Sequence, residues 1–237
     1  MTTGSEWLSA LPEQPGPDRD QAVIDAINNG LLICDWCDIT SKIDGHTATF
    51  SVLCDAAYII LDDGSRFRPQ VSAQLNQKCA DILSVSMITA KIHDLSYAQS
   101  TQIECSVLTA GPQMSTTTYS KKWNTIVENK RNGCETLIRD TGKIWCLDNA
   151  LAWSKGAVNF GFYSHSAPST SPGGFKLYQS IGTMHNNLHC DYSQTLFLMK
   201  NDCIVDGQNT NIKNVLSDPS LASLGNYNGV LKYFRQP

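Results

Sequence analysis

Two of the five histidines, His185 and His189, stand four residues apart, and Asp191 follows two positions later. They belong to one run, His185-Asn-Asn-Leu-His189-Cys-Asp191-Tyr-Ser-Gln194, which holds most of the chain's candidate chemistry. Imidazoles at this spacing share a face on a metal-binding helix. Asn186-Asn187 disfavours a regular helix here, so the segment reads as a loop feeding a strand that starts near Asp191. On that strand Asp191, Ser193, Thr195 and Phe197 share one face, and Tyr192, Gln194, Leu196 and Leu198 the other. His185, His189 and Asp191 could then hold a divalent ion such as zinc in an N,N,O set, with one position left for water. They could equally form a His–Asp pair in which the carboxylate fixes the tautomer of a general base. The plain alternative is a structural or binding module in which the same groups make a buried hydrogen-bond network.

Lys143, Tyr192 and Ser193 are the expected substrate-orienting or oxyanion-stabilising groups around this centre. Ser193 and Cys190 are the nearby nucleophile candidates for a metal-free Ser–His or Cys–His hydrolase, and Cys134 a more distant one. None of them lies in a G-x-S-x-G elbow. Trp145, Trp153, Phe160, Phe162 and Tyr163 read as a core layer, in part as a platform for a sugar or peptide. Ser164–Gly174, rich in Ser, Pro and Gly, reads as a mobile rim over it. Pro172-Gly173-Gly174 has no following Lys and is not a phosphate loop.

The elements that must position these groups can be read from periodicity. Residues 1–18 read as an extended N-terminal arm, rich in Pro, Gly and acid. Asp18 caps a helix over Gln21–Asn29 that ends at Gly30. Leu31–Thr40 and Thr47–Leu61 are strand candidates. Val71–Val85 is amphipathic, with Val71, Leu75, Cys79 and Ile82 on one face, and helices follow over Thr89–Gln99 and Thr116–Asn129. Beyond Asn132-Gly133 strands are expected over Thr136–Leu147, Ala157–Ser164, Lys176–Ile181 and Tyr192–Met199, with a closing helix over Ile212–Leu224. This segregation predicts an α+β fold: a helical middle segment packed on a mainly antiparallel C-terminal sheet, forming one domain over 19–237.

Composition narrows the function classes. The 18 Lys and Arg are outnumbered by 22 Asp and Glu, so bulk charge predicts no nucleic-acid binding. No apolar run approaches the roughly 18 residues of a membrane span, and a soluble chain is expected. The N-terminus lacks the basic and apolar regions of a signal peptide, which points to a cytoplasmic protein or one released without a classical leader. The nine cysteines read mainly as small buried apolar residues, with disulfides possible in an oxidising compartment. Cys34-Asp-Trp-Cys37 lies in a strand pattern rather than at a helix start and reads as structural.

The C-terminal half resembles an uncharacterised bacterial family of mostly secreted or envelope-associated proteins. The resemblance rests on Lys143-Ile-Trp145, Asn159-Phe-Gly161-Phe162, Gln179 through His185, His189, Asp191-Tyr-Ser-Gln194, Val205-Asp-Gly207 and Val215-Leu-Ser-Asp218-Pro219, in that order. Thr89-Ala-Lys91-Ile-His-Asp94 matches a further segment, with Ile88 in place of the family's proline. It implies a shared polar site around the two histidines, extended by Asn159 and Gln179 as substrate contacts beside Trp145 and Tyr163. The expected function is a hydrolase, motivated by the clustering of scarce histidine with Asp191 beside the aromatic strand pair; its cell-wall glycan or peptide substrate is an association carried by the resemblance and not by residue chemistry.

Overall fold

The computed structural model describes residues 2–236. The N-terminal segment is not an extended arm. Gly4–Ala10 forms a helix, α1, because Thr3 and Glu6 make a reciprocal capping box and Trp7 and Leu8 are buried. The Trp7 indole N–H donates to the Ala22 carbonyl at 3.0 Å, which fastens α1 to the next helix. That helix, α2 (Pro17–Asn28), begins earlier than the expected Gln21: Gly16 caps it, Pro17 occupies its first turn, and Asp18 lies inside it.

Three helices fill the middle of the chain: α3 (Ala73–Ile82), α4 (Ala90–Ala98) and α5 (Thr117–Arg131). Each starts where a Ser or Thr hydroxyl accepts the N–H three residues on, from Ser72, Thr89 and Thr116. Of the face read on α3, Val71, Leu75 and Cys79 are buried and Ile82 is exposed.

The fold is α+β with mainly antiparallel sheets. The five-stranded sheet runs Trp36–Ile43, His46–Leu53, Leu198–Val205, Gln208–Asn211, with Ser86–Met87 also on Leu198–Val205. It is therefore shared between the two halves of the chain and is not C-terminal alone. Its first hairpin turns at Asp44-Gly45, both at positive φ (51° and 84°), the conformation that an Asp-Gly pair favours in tight hairpins. Asp206-Gly207 repeats the device (50° and 80°). The second sheet runs Ser169–Thr170, Lys176–Gly182, Asn159–Tyr163, Lys143–Trp145, all antiparallel. Helix α6 (Ile212–Ser217) stops at Asp218, short of the expected Leu224, and a 3-10 turn (Ala222–Leu224) follows it.

Buried cations lock these layers together. Arg139 is fully buried and donates to the carbonyls of Leu53 (2.7 Å), Cys54 (3.0 Å) and Ile138 (2.7 Å), and to Ser96 Oγ (3.0 Å). Arg68, also fully buried, grips Asp55 through Nε–Oδ1 (2.7 Å) and Nη2–Oδ2 (2.5 Å) and reaches Glu128 at 2.8 Å. Cys37 is bridged to Cys54, so Cys54 is not a free apolar thiol, and Cys34 of the C-x-x-C is free.

Candidate functional site

Lys143 is the first residue of an edge strand, and its main-chain N–H donates to the Ser193 carbonyl at 2.5 Å. That bond brings the edge strand against the segment carrying Asp191. The Lys143 ammonium then donates to Asp191 Oδ2 at 2.6 Å. Asp191 Oδ1 accepts the Ser193 N–H (2.9 Å) and hydroxyl (2.8 Å), and the Gln194 N–H closes the turn on the Asp191 carbonyl at 3.0 Å. Side-chain capping of this kind competes with ladder pairing. Residues 191–194 are consequently a turn, and the strand expected from Tyr192 starts only at Leu198.

The loop before this turn lays two imidazoles on the edge of a tryptophan. His185 and His189 stack with ring centroids 3.8 Å apart and planes within 7°. Trp145 meets both nearly edge-on, at 6.3 and 6.5 Å. Trp145 is itself fully buried, its indole N–H donating to the Val71 carbonyl at 2.8 Å. Trp153, expected in the same core layer, is exposed. Backbone bonds from Gln74 N–H to Asn187 O (3.0 Å) and from Lys155 N–H to Thr183 O (2.9 Å) fasten the loop at two points. His189 Nε2 lies 3.8 Å from Asp191 Oδ2.

Burial alone would raise Asp191. The hydrogen bonds and charge of His189, Lys143 and Ser193 outweigh it and hold the carboxylate well below its usual range. His185 is lowered from the ordinary histidine value by burial first, then by His189 and Lys143, so it is neutral at pH 7.

A zinc ion does not fit this arrangement. A metal takes an in-plane lone pair from each imidazole, and no point lies in both planes of two stacked, parallel rings. Both Asp191 oxygens are also engaged, one by Ser193 and one by Lys143. Among the described residues no group of three His, Cys, Asp or Glu side chains is placed to hold a metal.

Six of the expected site residues thus come together: His185, His189, Asp191, Ser193, Lys143 and Trp145. Four do not face the same space. Tyr192 points into a separate aromatic cluster with Tyr119, Trp123 and Phe162, and its hydroxyl accepts the Leu108 N–H at 2.9 Å. Tyr163 donates to Asp94 Oδ1 at 2.5 Å and stacks on Tyr97 at 4.0 Å. Asn159 pairs across the sheet with Trp145 but is fully buried. Gln179 turns its amide N–H onto the Ser180 carbonyl at 2.9 Å. The Asn159 and Gln179 amides both crowd Gly182, where a Cβ would sit 2.2 and 2.5 Å from them, so a larger residue there would have to displace one or both. The Ser164–Gly174 loop is no free rim: it carries the Ser169–Thr170 strand, and the Gly173 N–H donates to Asp94 at 3.2 Å.

Among the described residues the nucleophile candidates have no imidazole partner. Ser193 gives its hydroxyl proton to Asp191. Cys190 faces Arg19, at 3.5 Å, and burial pushes its thiol up to about 12. Cys134 contacts Thr136 at 3.2 Å.

Two residues supporting the site were not read from the sequence. Asp140, fully buried, accepts the Gly142 N–H (3.1 Å) and the Tyr163 N–H (2.9 Å) and so shapes the turn that delivers Lys143; Asp140-Thr-Gly142 was the available turn signal. His93 lies beneath, 3.2 Å from where a Gly161 Cβ would be, ringed by Phe160, Tyr163 and Phe197. Neither of its ring nitrogens has a hydrogen-bond partner among the described residues, and burial, then Arg139, keep it well below the ordinary histidine value. Removing a buried unsatisfied polar group for an apolar one of similar size relieves about 1–3 kcal/mol. His93→Leu is therefore expected to raise the urea midpoint. A base depressed in the folded state costs stability as pH falls below its unfolded value, near 6.5. The wild-type midpoint should fall with acid there more steeply than that of His93→Leu. A less stable variant at neutral pH would show that the imidazole is bonded.

No protein-family model matches the chain, and no curated protein or solved structure is significantly similar to it.

Proposed function

We propose that the chain is a hydrolase acting on a cell-wall glycan or peptide at the His185–His189–Asp191–Lys143 centre. One observation carries the hydrolase part of this reading, and the resemblance alone suggests the cell-wall substrate. A half-buried imidazole kept neutral at pH 7 is stacked on a second, partly exposed one, beside a fixed carboxylate–ammonium pair. In this scheme neutral His185 removes a proton from the attacking water. The Lys143 ammonium stabilises the oxyanion that develops, and Asp191 fixes the ammonium and steadies His189. The scheme needs no metal.

The test is release of reducing ends and free amino groups from purified cell-wall sacculi. His185→Ala should lower turnover by roughly 10²–10⁴-fold, with little change in thermal midpoint. Because His185 is lowered, the acid limb of the wild-type profile should fall below pH ~6.5. No turnover above buffer in the wild type, or full turnover in His185→Ala, overturns the proposal.

A second reading, a non-catalytic structural or binding module, is favoured by the saturation of Asp191, whose oxygens are taken by Ser193 and Lys143. It expects stability but no turnover to depend on these residues.

A further inference from the structure

On the protein's surface, the N-terminal half of α2, the start of α3 and the 188–190 segment enclose a cleft of about 420 Å³. That volume is within the range of small-ligand sites, roughly 300–1,000 Å³. Its walls are mixed. Ile24 and Leu188 supply apolar surface, and Leu188 is 61% exposed. Gln74 and Cys190 supply polar atoms. Two charges of opposite sign face the same space: Asp20 from α2 and Lys78 from α3.

These two charges make no direct contact pair with each other. Among the described residues neither Asp20 nor Lys78 belongs to an ion pair, although Lys78 and Arg19 both act on Asp20 at longer range. Asp20 is half-buried, and burial raises its carboxyl above the ordinary value. A carboxylate taken partly out of water with no partner within contact is a group that a ligand cation would satisfy. Lys78, exposed on α3, lines the same cleft and can receive an anion. A ligand that answers both ends carries an ammonium and a carboxylate separated by a short stem. The apolar walls at Ile24 and Leu188 suit a small apolar side chain on that stem.

We infer that this cleft binds a zwitterionic amino acid or short peptide, its ammonium on Asp20 and its carboxylate on Lys78, with an apolar side chain against Ile24 and Leu188. The site is separate from the histidine centre but shares a wall with it. Leu188 and Cys190 flank His189 in the chain, and Gln74, which lines the cleft, holds the histidine loop through the Asn187 carbonyl. Occupancy would therefore be felt at His189. The inference does not depend on hydrolysis, because binding alone tests it.

The probe is alanylalanine, titrated against the full chain while backbone amide shifts are followed. Saturable shifts are expected at Gln74 and Leu188, with smaller ones at His189. Acetylating the probe's amino group or amidating its carboxyl should each weaken binding roughly tenfold or more, the loss of about one charge-assisted contact. Asp20→Asn should abolish the discrimination against the acetylated probe, and Lys78→Met that against the amidated one. Both positions are at least partly exposed, so the variants should fold. Absence of saturable shifts at Gln74 and Leu188 overturns the inference, as does equal binding of blocked and free probes. Binding without any turnover of sacculi would leave it standing while removing the hydrolase reading.

Discussion

Asp191→Ala is expected to lower folding stability by about 3–5 kcal/mol, because it strands the Lys143 ammonium in a site where it is only 12% exposed. The loss has a second component. The Ser193 N–H and hydroxyl would both lose their acceptor, and the turn that replaces the expected strand at 191–194 would lose its organiser. The double variant Lys143→Met/Asp191→Leu should recover much of the loss, since a buried ion pair replaced whole by apolar groups is often neutral. The pH dependence follows from the sign of the shift. A carboxylate depressed in the folded state contributes stability above its unfolded value, near 3.9, and that contribution is lost as pH falls toward the folded value. The gap between wild type and Asp191→Ala should therefore be full above pH ~5 and shrink below pH ~4. Urea unfolding across pH 2.5–7 measures it. A gap that stays constant to the lowest pH would show that Asp191 acts through packing and not through its charge. A stability loss accompanied by unchanged sacculus turnover would favour the structural module over the hydrolase.

Arg68→Ala is expected to be at least as severe, again about 3–5 kcal/mol. Arg68 is fully buried and bonds Asp55 with two atoms of its guanidinium and Glu128 with a third. Without it Asp55, 1% exposed, keeps only Arg66 at 3.3 Å as a cation partner. Asp55 immediately follows the bridged Cys54, whose carbonyl accepts from both Ile138 N–H and Arg139, so its displacement would be felt where the two halves of the fold meet. Arg68→Lys should rescue little, because an ammonium cannot form the two-point fork on one carboxylate while also reaching Glu128. Urea titration with an unchanged m-value would register the loss as stability. A midpoint within experimental error of wild type would show that the ion pair and its desolvation cost cancel.

Local signals carried far in this chain. Helices α3, α4 and α5 were readable within a few residues of their ends, since each pairs an apolar periodicity with a Ser or Thr cap: Ser72, Thr89 and Thr116. The Asp-Gly turns at Asp44-Gly45 and Asp206-Gly207 are equally local. The α+β class followed from the order of such elements. His185 and His189 were bound to meet near Asp191, because residues four apart on a short loop cannot be far apart in space.

Local signals failed where a distant partner outweighed them. Trp7 makes a helix of a Pro- and acid-rich N-terminus by docking on Ala22. Asp191 stops the expected strand because Lys143, 48 residues earlier, and Ser193 occupy its carboxylate. Once that strand was gone, the alternation that placed residues 191–197 on two faces had no basis, and Tyr192 went to an aromatic cluster with Trp123. The zinc reading failed on ring orientation, which spacing does not encode. The sequence by itself thus determined the three middle helices, the Asp-Gly turns, the fold class and the closeness of the two histidines, each set by interactions within a few residues. Tertiary structure alone decided what those histidines face, which cysteines pair, and which charges are buried, because burial and ion pairing are properties of contacts between segments far apart in the chain.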